Sequence, residues 1–170
     1  MDMIVRQAET GEAAEVFALI EAARAYFKKN GIDQWQHGQP NFSTVEDDIA
    51  KKRLWIVAAD KKIIAIASFL FGEEPYYNTL SGGRWLYDGE YCAIHRVAVD
   101  PLYKGHGIAG TIFEAARKLC VSNGVKSLRI DTHRDNKSMA RAIEKFDFIK
   151  CGVVQMGDGS ERLAFERYPL

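Results

Sequence analysis

Residues 97–110, Val97-Ala98-Val99-Asp100-Pro101-Leu102-Tyr103-Lys104-Gly105-His106-Gly107-Ile108-Ala109-Gly110, limit the folds open to this chain more than any other stretch. An apolar strand enters a short turn, and a glycine-rich loop then opens directly into an amphipathic helix. The first N–H groups of a helix have no partner within it, and glycines remove the Cβ atoms that would block approach. Such a turn is a cradle for phosphate or pyrophosphate.

Periodicity supplies the surroundings. Ile4 to Ala8 fits a first strand. Thr10 can cap a helix whose Ala13, Val16, Phe17, Ile20, Ala23 and Phe27 share a face, and Asn30-Gly31 stops it. Ser43 or Thr44 can cap a shorter helix through Ile49 to Lys52. Leu54–Ala59 and Ile63–Phe71 around Asp60-Lys61-Lys62 read as an antiparallel hairpin. A long loop, Gly72 to Glu90, precedes a near-continuously apolar strand, Tyr91 to Val99, interrupted only by His95 and Arg96. Ile108, Ile112, Phe113, Ala116, Leu119 and Cys120 form the stripe of the glycine-loop helix. Ser127–Thr132 is a strand, Asp135 or Asn136 caps another helix, and Lys150–Met156 with Arg162–Tyr168 closes the chain as a second hairpin. The resulting order, β-α-α-β-β-β-α-β-α-β-β, predicts one α/β domain over residues 1–170, a mixed and mostly antiparallel twisted sheet with helices on both faces.

Charge and cysteine usage exclude several classes. Lys+Arg and Asp+Glu both number 23, which argues against nucleic acid or an anionic membrane as partner. Three cysteines without CxxC spacing predict neither a disulfide framework nor a metal site. Without a basic-then-apolar leader or a long apolar run, the protein is expected to stay soluble in the cytoplasm.

Gly105-x-Gly107-x-x-Gly110, with Asp131 closing the next strand, matches the dinucleotide fingerprint letter for letter. The context does not follow. Asp100 to Lys104 separate the strand from the glycines, and hairpins on both sides leave too few βαβ units for two mononucleotide halves. A dinucleotide oxidoreductase therefore ranks third.

Lys104-Gly105-His106-Gly107-Ile108-Ala109 instead resembles the [Gln/Arg]-x-x-Gly-x-[Gly/Ala] signature of the GNAT superfamily, the acyl-CoA-dependent N-acyltransferases, with Lys in the first position. The resemblance runs over essentially the whole chain. Asn136 and Phe148 match a second family motif, whereas Ile143 stands where relatives carry Tyr and Asp147 where they carry Gly. Gly31-Ile32-Asp33-Gln34-Trp35-Gln36, Ile94-His95-Arg96 and Arg129-Ile130-Asp131-Thr132-His133 look like those of a bacterial subgroup, for which the resemblance implies no particular acceptor. It does imply acetyl-CoA as donor. Its pyrophosphate would lie on the amides of Gly105, His106, Gly107, Ile108, Ala109 and Gly110 beside Lys104, its pantetheine arm along Val97, Ala98 and Val99, with Asn136 near by. The family Tyr often protonates the departing thiolate, so with Ile143 the chain must use another acid or none. Dimers are common among similar proteins, and a homodimer is possible here.

Amine acylation needs a neutral amine, a polarised thioester carbonyl and a destination for a proton. A backbone N–H of the central strand can hold the carbonyl. Asp131 is the first candidate base, with a pairing to Arg129 or a turn cap as its structural alternative. His95 and His133 are the further candidates. Arg96 could hold an acidic acceptor group, or pair internally with Glu90 or Asp131. Trp35 and Gln36 in one irregular stretch, and Tyr76, Tyr77 and Trp85 in the other, could line a pocket for a cationic amine beside Glu73, Glu74, Asp88 and Glu90, or anchor their loops. The expected acceptor is a small-molecule or protein amine. A CoA-binding module without turnover is the alternative from another class.

Overall fold

The alternation expected from periodicity is realised almost element for element. The computed structural model describes residues 2–170. Its elements are β1 (Met3–Gln7), α1 (Ala13–Lys29), α2 (Phe42–Ala50), β2 (Leu54–Ala59), β3 (Lys62–Phe71), β4 (Tyr91–Val99), α3 (Ile108–Ser122), β5 (Ser127–Thr132), α4 (Lys137–Lys145), β6 (Ile149–Gln155) and β7 (Glu161–Arg167). The architecture is mixed α/β, with a mostly antiparallel sheet of seven strands and four α-helices. The chain gathers into two compact units, each made of two segments: residues up to Phe69 with Arg96–Ile112, and Leu70–His95 with Phe113–Leu170.

In the first unit the strands run β1-β2-β3, all antiparallel. Ala59 pairs with Lys62, leaving Asp60 and Lys61 as a two-residue turn with φ of 49° and 66°. Both central residues are left-handed, as a turn matching the twist of a hairpin requires. The apolar stripe of α1 (Val16, Leu19, Ile20, Ala23, Phe27) packs with Val45 and Ile49 of α2 and with Leu54, Ile56, Ile63 and Ile66. The caps differ from those expected. Thr10 lies inside a 3-10 turn, Thr10–Glu12, closed by a reciprocal capping box between Glu9 and Glu12. Neither Ser43 nor Thr44 caps α2; Asn41 does, accepting from the Thr44 amide at 2.9 Å. Asn41 has the extended backbone that aims a short side chain at the third amide of the helix.

In the second unit the order is β4-β5-β7-β6, with β4 and β5 parallel and the other pairs antiparallel. Tyr77, Tyr91, Ala93, Val154 and Ala164 form one core cluster, and Phe113 meets Phe146 and Phe148 edge-on. Residues 72–90, expected as a loop, contain a 3-10 turn at Pro75–Thr79 and an antiparallel bridge from Ser81 to Val153. A Cβ on Gly83 would stand 1.9 Å from the Cys151 carbonyl oxygen, so the loop lies closer to β6 than any side chain permits. Cys92, Cys120 and Cys151 are buried. Burial pushes the Cys151 thiol up to about 11, the behaviour of an inert core thiol.

Candidate active site

In the first unit, the glycine loop hangs from Asp100. Its amide donates to the Ile64 carbonyl at 2.8 Å, and its Oδ1 accepts from the Leu102 amide at 2.9 Å. Lys62 Nζ lies 2.6 Å from Oδ2. The lysine hydrogen bond holds the Asp100 carboxyl below its ordinary range. This anchors the 3-10 turn Pro101–Tyr103, after which the chain turns at Gly105 (φ 82°) and Gly107 (φ 78°). A Cβ at either glycine would point into open space. The glycines are therefore needed for backbone conformation rather than for internal packing.

Of the amides assigned to the cradle, two turn inward. His106 N–H donates to Tyr103 O at 3.4 Å and Gly110 N–H to Gly107 O at 2.9 Å. Among the described residues, the amides of Gly105, Gly107, Ile108 and Ala109 make no such backbone bond. They sit where the α3 dipole favours an anion. Lys104 Nζ stands 3.1 Å over the centroid of the Tyr26 ring, and burial lowers its pKa. His106 is exposed, its Nδ1 facing the Lys104 carbonyl at 3.1 Å.

Arg96, Val97, Ala98 and Val99 end β4. Arg96 has φ 55°, a left-handed residue within a strand, which breaks the alternation of side chains just before Val97. Its Nη1 donates to Asp48 Oδ2 at 2.8 Å, an oxygen that also accepts from Ser68 Oγ at 2.6 Å. The partner expected from sequence, Glu90 or Asp131, is thus replaced by an acid from α2. Trp35, also left-handed (φ 63°), packs edge-on to Phe27, and its carbonyl accepts from Arg24 Nε at 2.8 Å. Gln36 Nε2 donates to Arg24 O at 3.1 Å.

The second unit brings four polar side chains together. His95 Nε2 lies 2.9 Å from Glu74 Oε2, off the direction of an aligned hydrogen bond, so the contact is an electrostatic approach. His95 Nδ1 lies 3.9 Å from Asp131 Oδ2. The hydroxyl of Tyr77 donates to that same Oδ2 at 2.9 Å. Burial, reinforced by the Asp131 charge, pushes the Tyr77 phenol well above its ordinary range, so it stays a neutral donor. The Tyr91 hydroxyl accepts from the Glu74 amide at 2.8 Å.

Two candidate bases, Asp131 and His95, therefore meet. The third, His133, engages Asp135, accepting from its amide at 3.2 Å. Arg129 pairs with Glu166 at 3.0 Å rather than with Asp131. Asn136 spends its side-chain oxygen as the cap of α4, accepting from the Met139 amide at 3.3 Å. Tyr76 remains exposed, Tyr77 is turned inward, and one face of Trp85 carries the guanidinium of Arg129, 4.1 Å from the ring centroid. Sequence reasoning did not single out Glu74 among four loop acids. Its signal is the following Pro75, which starts a 3-10 turn and makes Glu74 the turn's N-cap residue.

Residues 16–148 match the sequence model of the Acetyltransferase (GNAT) family. The chain belongs to that family. A crystal structure of a GNAT-family acetyltransferase from Streptococcus agalactiae is 32% identical, with TM-score 0.89 over 99% of this chain and 96% of that one. A GNAT-family acetyltransferase from Listeria monocytogenes is 18% identical, with TM-score 0.75 over 98% and 94%. An agmatine N-acetyltransferase in its apo form is 12% identical, with TM-score 0.71 over 99% and 100%. These last two share the fold. No curated protein matches. Among the described residues no helix is long and apolar enough to cross a membrane, and no group of His, Cys, Asp and Glu could hold a metal ion.

Proposed function

We propose that this protein is an acetyl-CoA-dependent N-acetyltransferase acting in the cytoplasm, moving an acetyl group to a primary amine of a small molecule or protein by direct attack in a ternary complex. The observation that carries this reading is His95 set between Glu74 and Asp131, two residues before Val97 on the strand assigned to the coenzyme.

An amine nitrogen seated about 2.8 Å from both His95 Nδ1 and Asp131 Oδ2 would bridge their 3.9 Å gap with two ordinary hydrogen bonds. His95 takes the proton as the new N–C bond forms. The imidazolium that results lies between two carboxylates, which offset its charge. The C–S bond breaks with its electron pair on sulfur, so CoA departs as the thiolate. Ile143, fully buried where relatives carry a tyrosine, supplies no acid, and the thiolate takes its proton from solvent.

The donor fits the residues of the glycine loop. The amides of Gly105, Gly107, Ile108 and Ala109 and the charge of Lys104 suit a pyrophosphate, and the open space before both glycines admits it. Val97, Ala98 and Val99 offer extended backbone to the pantetheine arm, and a β4 amide would hold the thioester carbonyl.

The test combines CoA titration calorimetry with thiol release from acetyl-CoA over a panel of diamines, amino acids, amino sugars and lysine peptides. Amine-dependent release, lost in His95→Gln while CoA still binds, is the expected result. CoA binding with no release from any amine would mark a CoA-binding module without turnover, and no CoA binding would remove the donor assignment.

A further inference from the structure

We propose that Arg129 is a positioning residue that fixes the Asp131 carboxylate and the Glu74 main chain around His95 through the two aromatic rings enclosing its guanidinium. The proposal rests on the reading of the His95 cluster as the proton acceptor. Arg129 is 5% exposed. Its guanidinium carbon lies 4.1 Å from the Trp85 ring centroid and 3.9 Å from that of Tyr91. Nε donates to Glu166 Oε1 at 3.0 Å and Nη2 to the Tyr87 carbonyl at 2.5 Å. Glu166 is fully buried and also accepts from Ser127 Oγ at 2.5 Å and from the Leu86 amide. A buried arginine satisfied in this way is a rigid post.

The Trp85 side of this enclosure leads to the Asp131 carboxylate, and the Tyr91 side to the main-chain amide of Glu74. Trp85 Nε1 donates to the Tyr77 carbonyl at 3.0 Å, the two rings lie 5.1 Å apart, and the Tyr77 hydroxyl holds Asp131. The Tyr91 hydroxyl receives the Glu74 amide. Arg129 and Asp131 are two residues apart on β5, so their side chains leave the same face of the strand. Of the two roles open to the loop aromatics, lining a pocket for a cationic amine or anchoring their loop, Trp85 takes the second, with Arg129 as the cation on its face. Arg129 thereby orders residues 74–87 around His95.

Arg129→Met alone would strand the Glu166 carboxylate, so the test uses Arg129→Met/Glu166→Leu, which removes both charges. A milder variant, Trp85→Phe, keeps a ring but drops the bond to Tyr77. Rates are measured with acetyl-CoA and the panel amine giving the fastest thiol release. The paired variant is expected to lower kcat about tenfold or more while the acetyl-CoA KM stays within about twofold. Adding Tyr77→Phe should then cost little more, because both changes release the same carboxylate. The acid limb of its kcat–pH profile should move in the direction seen for Tyr77→Phe alone.

A folded paired variant with unchanged kcat, or losses that multiply with Tyr77→Phe, would overturn the proposal. If the paired variant does not fold, Trp85→Phe decides by the same kcat, KM and pH readouts, and an unchanged profile there overturns it as well. Failure of the underlying reading looks different, since His95→Gln would then leave kcat and its pH profile intact.

Discussion

The Lys104 ammonium rests on the face of Tyr26, 3.1 Å from the ring centroid, one residue before the first cradle glycine. Burial there disfavours the charged form, so Lys104 gives up its proton below the ordinary 10.5 of a lysine. Affinity for an anionic pyrophosphate that depends on this charge should weaken as pH rises toward that range. The acetyl-CoA KM is expected to climb on the alkaline side, and Lys104→Arg, charged throughout, should flatten the climb. A wild-type KM that stays constant as pH is raised to 10.5 would count against the role of Lys104.

Gly107→Ala places a Cβ at φ 78°, a strain of about 1–2 kcal/mol, with no internal clash. The expected result is a modest drop in urea midpoint. Gly107→Glu adds a carboxylate where the phosphates would lie, and its acetyl-CoA KM should rise by about tenfold or more, equivalent to at least about 1.4 kcal/mol. Equal KM values for the two variants would remove the glycine loop from donor binding.

Asp100→Asn keeps a side-chain acceptor for the Leu102 amide and loses the Lys62 pair. Lys62 is half exposed, so solvent screens the pair and the cost should be small. Asp100→Ala loses the cap as well, about 1 kcal/mol more. The folded carboxyl lies below its ordinary 3.8. Its contribution is therefore complete above the unfolded value and disappears as pH falls through the folded one. Urea midpoints of wild type and Asp100→Asn should draw together as pH falls below the ordinary 3.8.

Asp48→Ala leaves Arg96 and Ser68 without their shared acceptor, and the expected destabilisation is about 3 kcal/mol. Asp48→Asn, retaining an acceptor for Ser68, should cost less. Arg96 is also the left-handed residue of β4, so loosening it should raise the acetyl-CoA KM through Val97–Val99. Chemical denaturation and KM measured on the same preparations separate the two effects.

How far the sequence speaks depends on the range of the interaction. Strand and helix positions follow from local periodicity, and Ser127–Thr132 matches β5 residue for residue. Caps were blurred because Glu9, Thr10, Asn41, Ser43 and Thr44 all carry capping side chains, and only the backbone angle at Glu9 and Asn41 chooses between them. The turn of the glycine loop was legible since its glycines serve a local conformation. The rest of the site was not. Arg96 finds its acid 48 residues earlier in Asp48, and Tyr77 reaches Asp131 across 54 residues. No spacing rule connects such pairs. Nothing local to Arg96 calls for a positive φ either, because strand neighbours of its kind ordinarily stay extended.

Ser81 occupies the side of β6 that β7 leaves free, bridging to Val153 in both directions at 2.9 and 3.0 Å. An outermost strand with bare N–H and C=O groups is a template for a stray chain, and Ile149 at its start is 56% exposed. By docking there, the segment that arranges the acids also shields the molecule against self-association. Shortening it is expected to bare that edge and raise aggregation, which light scattering of the variant measures.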